Sequence, residues 1–238
     1  MNLSQLRHRL VVLLSLFAVL TAGCNIEDED PIAAPEEQAS YLALGDSYTI
    51  GEGVSTAERF PVQLADALRQ RGVDLASPRV IARTGWRSDN LAMAIADADL
   101  PTNSYDLVSL LIGVNDQFQG RDLDDFRQNL SGLLDETERI AKQGADGVLV
   151  ISIPDYSVTP FARNADTAAI RRELDLYNAE VAAAATQRAM RYINITPISR
   201  EARDDASLLA PDGLHPSALM YSRWVADLVR PAEQILAQ

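Results

Sequence analysis

The sequence predicts an α/β fold: one parallel β-sheet of five strands with helices on both faces. Three observations predict it. Short apolar runs alternate about five times with segments whose apolar residues recur at helical spacing. The run 147–153 is near-continuously apolar, as a strand covered on both faces must be. Three of the runs end in polar segments that contain glycine, the pattern expected where parallel strands deliver loops to a ligand.

Ahead of the domain, residues 1–23 read as an export signal. Arg7 and Arg9 supply positive charge, and the apolar stretch from Leu10 to Leu20 is far shorter than the roughly 20 residues a membrane-spanning helix needs. The segment Leu20-Thr21-Ala22-Gly23-Cys24 resembles a bacterial lipobox, with Thr21 where such motifs usually carry leucine. That resemblance implies that Cys24 is acylated and becomes the N-terminus of an envelope lipoprotein. Asn25 follows where aspartate signals inner-membrane retention in some bacteria, so the periplasmic face of the outer membrane is the expected location. Residues 24–39 are acidic and proline-bearing, a flexible tether too polar to order itself.

Residues 40–238 form a single domain, long enough for a full core. The first strand starts at Tyr41 and ends at Leu44-Gly45-Asp46-Ser47. Gly51 and Gly53 mark a loop. A helix begins near Phe60 with Pro61 in its first turn, where the missing N–H costs nothing, and Gly72 ends it. Arg79–Ala82 is the second strand and leads into Thr84-Gly85-Trp86. Ser88 or Asp89 is expected to cap a helix carrying Leu91 and Ile95. Tyr105–Ile112 is the third strand, followed directly by Gly113-Val114-Asn115-Asp116. Leu123, Phe126, Leu130, Leu133, Leu134, Thr137 and Ile140 define a helix, with Gly144 as its stop. Gly147–Ile153 is the fourth strand. Ile170, Leu174, Tyr177 and Val181 mark a long helix, and Tyr192–Ile195 is the fifth strand. Residues 217–237 form the last helix, with Leu219, Trp224, Leu228 and Val229 on or near its inner face.

Composition narrows the chemistry. A net charge of −13 argues against nucleic acid or an anionic membrane surface as a partner, because the electrostatic interaction would be repulsive. The chain has 1 cysteine, so it has no internal disulfide and no cysteine-built structural zinc site. It has 2 histidines, and His8 lies in the signal segment. Any imidazole chemistry of the mature protein therefore falls to His215.

The parallel sheet brings the ends of its strands to one edge, so Gly45-Asp46-Ser47, Thr84-Gly85 and Gly113-Val114-Asn115-Asp116 are expected to converge there. Pro211-Asp212-Gly213-Leu214-His215-Pro216 precedes the last helix and can reach the same edge. Acyl transfer needs this set. A serine hydroxyl attacks only when a base takes its proton, and His215 is the available base for Ser47. Asp212, three residues away, can hold the ring in the right tautomer. The Ser47 amide, the Gly85 amide and the Asn115 side chain can meet the developing oxyanion. Asp46 and Asp116 read as hydrogen-bond partners rather than catalysts. Tyr48, Trp86, Gln117, Phe118, Tyr156 and Phe161 lie near the same edge, where they either shape a pocket or pack beneath the loops.

These residues also carry a resemblance. Gly45-Asp46-Ser47, Gly85, Gly113-x-Asn115-Asp116 and Asp212-x-x-His215 resemble, in order, four sequence blocks of the SGNH hydrolases of the GDSL esterase/lipase superfamily. The resemblance implies a flavodoxin-like three-layer α/β/α sandwich and metal-free, cofactor-free hydrolysis of an ester or thioester. The expected function is a serine esterase working through Ser47, His215 and Asp212. Its substrate could be a short-acyl ester, a lipid ester or a sugar acetate. A catalytically idle envelope-binding lipoprotein on the same fold is the reading from another class.

Overall fold

The computed structural model describes residues 38–238; the signal segment, Cys24 and nearly all of the tether lie outside the described residues. In chain order the main elements are β1 (Tyr41–Gly45), α1 (Ser47–Ile50), α2 (Phe60–Gln70), β2 (Arg79–Ala82), α3 (Ser88–Asp97), β3 (Leu107–Leu111), α4 (Val114–Phe118), α5 (Leu123–Ile140), β4 (Val148–Ile151), α6 (Thr167–Gln187), β5 (Arg191–Ile193), α7 (Thr196–Arg200) and α8 (Ala218–Leu236). All strand pairs are parallel, in the order β2-β1-β3-β4-β5. The predicted class is therefore the observed one, and the order is the flavodoxin-like one.

The handedness of parallel crossovers decides the layers. The chain moves one way across the sheet from β1 to β2 and the other way from β2 to β5, so right-handed connections place α2 on one face and α3, α5 and α6 on the other. Helix α8 packs against α2 and completes the first layer. The inner strands β1, β3 and β4 are buried along their whole length, which their apolar runs demand. On α8 the buried residues Met220, Tyr221, Trp224, Val225, Leu228 and Val229 follow one helical stripe. Leu219 lies off that stripe and is 45% exposed, contrary to the expectation that it faces inward.

Other expectations shift by a few residues for identifiable reasons. The fourth strand stops at Ile151 rather than Ile153, because the Asn178 side chain on α6 takes over the Ile153 backbone: its Oδ1 accepts from the Ile153 amide at 2.7 Å and its Nδ2 donates to the Ile153 carbonyl at 2.9 Å. The fifth strand ends at Ile193 rather than Ile195, since the Ile195 amide donates to the Ser152 hydroxyl at 2.8 Å instead of to a strand. The third strand begins at Leu107 rather than Tyr105: Tyr105 forms only an isolated parallel bridge with Ala141, and the Asp106 carboxylate accepts from the Ser40 amide and hydroxyl. Helix α5 ends at Ile140, where Ala141 turns extended, and Gly144 belongs to the turn that follows. The segment after Ser47, read as a loop, opens with the single turn α1, which Gly51 closes at φ +76.

Candidate active site

The β1 strand delivers Ser47 to the sheet edge with little room for variation. A Cβ at Gly45 would collide with the Thr49 hydroxyl and the Leu111 carbonyl, so only glycine lets β1 turn into α1 at this point. The Asp46 carboxylate caps α1 by accepting from the Tyr48 amide at 3.0 Å, which leaves Ser47 as the first helical residue. Asp46 is fully buried. Burial outweighs the bond from the Tyr48 amide, and the neighbouring Asp116 adds to it, raising the Asp46 carboxyl to about 8.

The other end of the chain meets this turn. Tyr221 on α8 donates its hydroxyl to the Tyr48 carbonyl at 2.9 Å, and the Trp224 ring lies 6.4 Å from that of Tyr48. The segment before α8 doubles back through the bond from the Ala210 amide to the His215 carbonyl (2.8 Å). That places the His215 imidazole 5.4 Å, centroid to centroid, from the Tyr48 ring.

Asp212 organises its own turn. One carboxylate oxygen accepts from the Leu214 and His215 amides at 2.9 and 3.0 Å; the other lies 2.7 Å from His215 Nδ1. Partial burial pushes the Asp212 carboxyl up, but the His215 ring and the two amides outweigh it and hold the group below the ordinary carboxylate value. An ionised carboxylate only accepts, so Nδ1 carries the proton and Nε2 is left as a base.

Opposite stand the ends of β2 and β3. Asn115 donates through Nδ2 to the Trp86 carbonyl at 2.9 Å, and Gln119 donates to the Gly85 carbonyl at 3.2 Å. Gly85 is left-handed (φ +79), with nothing within 4 Å of where a Cβ would sit. Asp116 accepts from the Ser88 amide at 2.9 Å and from the Ser88 hydroxyl at 2.5 Å. Burial raises the Asp116 carboxyl above its ordinary value despite these bonds. The expectation that Ser88 or Asp89 caps α3 is corrected here. The cap position is Arg87, whose amide donates to Asn90, while Ser88 is buried and bound to Asp116.

Ser47, Gly85, Asn115 and His215 all line one cleft of about 130 Å³, together with Tyr48, Thr84, Val114, Phe118, Tyr156, Phe161 and Leu214. Asp212 stands behind His215. Among the described residues no hydrogen bond joins Ser47 to His215; such contacts commonly tighten only with substrate bound. Of the six pocket candidates, Tyr48, Phe118, Tyr156 and Phe161 reach the cleft. Gln117 is buried behind Tyr156, accepting from its hydroxyl at 2.9 Å, and Trp86 contributes its carbonyl to Asn115. Thr84, Val114 and Leu214, which the sequence places in the converging segments without a role, line the cleft as well.

Residues 43–223 match the model of the GDSL-like lipase/acylhydrolase family. The chain belongs to that family. It is a carboxylic ester hydrolase. Solved structures with the same fold include TesA (TM-score 0.63, 18% identity, 82% of this chain and 99% of that one). The acetylxylan esterase Axe2 from Geobacillus stearothermophilus is another (TM-score 0.59, 20% identity, 84% and 94%). The SGNH-hydrolase family esterase AlinE4 shares 25% identity at a TM-score of 0.56, over 86% of this chain and 97% of its own. No curated protein matches the sequence. In this GDSL-like hydrolase Ser47, Gly85, Asn115 and His215 therefore meet in one cleft, two from the ends of neighbouring inner strands, one from beyond β2 and one from the turn before α8.

Proposed function

We propose that this hydrolase cleaves esters of short carboxylic acids through a covalent acyl-enzyme. Ser47 Oγ attacks the acyl carbon as His215 Nε2 takes the hydroxyl proton. Asp212 holds Nδ1–H and stabilises the imidazolium. The Ser47 and Gly85 amides and the second Nδ2 proton of Asn115 receive the oxyanion. The tetrahedral adduct then expels the alcohol, which leaves with the proton from His215, and water repeats the sequence to free the acid. The observation that carries this reading is the 2.7 Å contact between Asp212 and His215 Nδ1 in a cleft that also holds Ser47, Gly85 and Asn115. The cleft of about 130 Å³ has to receive both sides of the ester, which supports an acyl group of a few carbons. No observation favours an idle binding protein on the same fold.

The test is hydrolysis of p-nitrophenyl esters from acetate to palmitate by the domain, beside Ser47→Ala. Activity should peak at acetate to butanoate and fall by roughly a millionfold in the variant. Full activity in Ser47→Ala would sink the mechanism, and a maximum at palmitate would sink the short-acyl preference. We further propose that the domain is carried on a lipid anchor at Cys24, at the periplasmic face of the outer membrane. Palmitate labelling of the full chain, lost in Cys24→Ala, checks the anchor, and membrane fractionation checks the location.

A further inference from the structure

We infer that Phe118 and Phe161, backed by Tyr156, form a shelf that receives the alcohol part of the ester, and that this alcohol is apolar, an aryl or alkyl group rather than a sugar. The inference rests on the proposed roles of Ser47 and His215. Large apolar side chains belong inside, yet Phe118 is 54% and Phe161 51% exposed. They stand together at the cleft, 5.9 Å apart, and Tyr156 meets Phe118 at 6.0 Å and 76° and Phe161 at 6.3 Å and 67°. Three rings from two segments, the end of α4 and the connection between β4 and α6, thus share one surface beside the reacting atoms.

The direction of the substrate follows from the tetrahedral adduct. Its carbon bears four groups: Ser47 Oγ, the oxyanion, the leaving oxygen and the acyl chain. The oxyanion faces Gly85 and Asn115. The leaving oxygen must lie within hydrogen-bond reach of His215, which protonates it. Phe161 is tied to that side, since its amide donates to the Gly213 carbonyl at 3.2 Å, two residues from His215. A group attached to the leaving oxygen therefore runs onto Phe161 and, beside it, Phe118.

The chemistry of the shelf selects the class of alcohol. The Tyr156 hydroxyl donates to Gln117 Oε1 at 2.9 Å, and Gln117 Nε2 donates to Glu173 at 2.7 Å. The polar edge of the trio is spent inward, and the faces offered to substrate are ring carbons. A sugar laid there would lose water from hydroxyls that gain no partner, whereas an aryl ring gains aromatic contact and buried apolar area.

The test compares selectivity ratios in the parent and the Phe118→Ala/Phe161→Ala double variant. The ratio of kcat/KM for phenyl acetate to that for methyl acetate should fall about tenfold. The ratio for methyl butanoate to methyl acetate should hold within twofold. Benzyl alcohol should inhibit the parent, with an inhibition constant about tenfold higher in the variant. Both rings are more than half exposed, so an unchanged thermal midpoint will certify the fold. Two results overturn the assignment. One is an unmoved alcohol ratio with a fallen acyl ratio, which makes the shelf an acyl site. The other is a preference of the parent for xylose acetates over phenyl acetate that vanishes in the variant, which makes it a sugar platform. Full activity in Ser47→Ala removes the mechanism beneath the assignment and the assignment with it; that failure is recognised separately, because it appears in the parent background.

Discussion

The two walls of the cleft are built on opposite principles. The wall carrying Gly85 and Asn115 is held by long-range bonds: Asn115 to the Trp86 carbonyl, Gln119 to the Gly85 carbonyl, and Ser88 to Asp116, each joining residues about 30 positions apart. The wall carrying His215 is held by a local turn, in which Asp212 binds residues two and three positions on. Charge divides the same way. Burial lifts the carboxyl group of Asp116 on the first wall, while hydrogen bonds depress that of Asp212 on the second. The difference teaches that the donors proposed to meet the developing charge are fixed by the whole sheet edge, whereas the base proposed to exchange protons is carried on a small local turn.

Four substitutions probe that contrast, taken from the largest expected effect downward. Asp212→Asn keeps a side-chain oxygen for the two turn amides but presents N–H to His215 Nδ1, which reverses the tautomer. We expect kcat to fall by roughly ten-thousandfold with little change in thermal midpoint, read by steady-state kinetics and calorimetry. Asn115→Ala removes a proposed oxyanion donor and a wall bond together, so kcat should fall about a hundred- to a thousandfold. An undiminished kcat there would show that the hole is complete without Asn115.

Asp116→Ala leaves the Ser88 amide and hydroxyl unbonded in a buried place. Stability should drop by about 1–3 kcal/mol in urea unfolding, and kcat should fall with it while KM stays near the parent value, because the substituted residue does not touch substrate. The last effect depends on pH. The Asp46 carboxyl is raised from 3.8 to about 8. In that window the folded protein binds more protons than the unfolded chain, so its stability falls as pH rises, by up to about 1.4 kcal/mol per pH unit. Asp46→Asn should remove that slope, which unfolding at pH 5 and pH 8 will measure. Asp212 has the opposite sign: its depressed value contributes stability above the ordinary carboxylate range, and that contribution is lost as pH falls through the folded value. The stability of Asp212→Asn should therefore fall less steeply than the parent's as pH drops through the carboxylate range.

Much of this was legible from residue order alone. The run Val148–Ile151 is apolar on both faces, and α8 shows its inner stripe in the spacing of Trp224, Leu228 and Val229. Ser47, Gly85, Asn115 and His215 could be nominated because parallel strands deliver their ends to one edge and because His215 is the one histidine beyond the expected export signal. Other features stayed hidden because they depend on partners far along the chain. Ser88 has the side chain of a helix cap, and only Asp116, 28 residues on, claims it for another purpose. Ile153 belongs to an apolar run, and only Asn178 ends its pairing early.

The sequence by itself determined the order of strands and helices, the single layer of candidate chemistry at the strand ends, and the local turn that joins Asp212 to His215. These follow from periodicity and from contacts within a few residues. The tertiary structure alone decided that Asp46 is buried with its carboxyl pKa raised, that Asn115 and Gly85 are locked as one wall, and that Phe118, Tyr156 and Phe161 share a surface. The physical reason is that burial, pKa and ring contact are properties of surroundings, and those surroundings come from segments tens of residues apart that meet only when the sheet has closed beneath them.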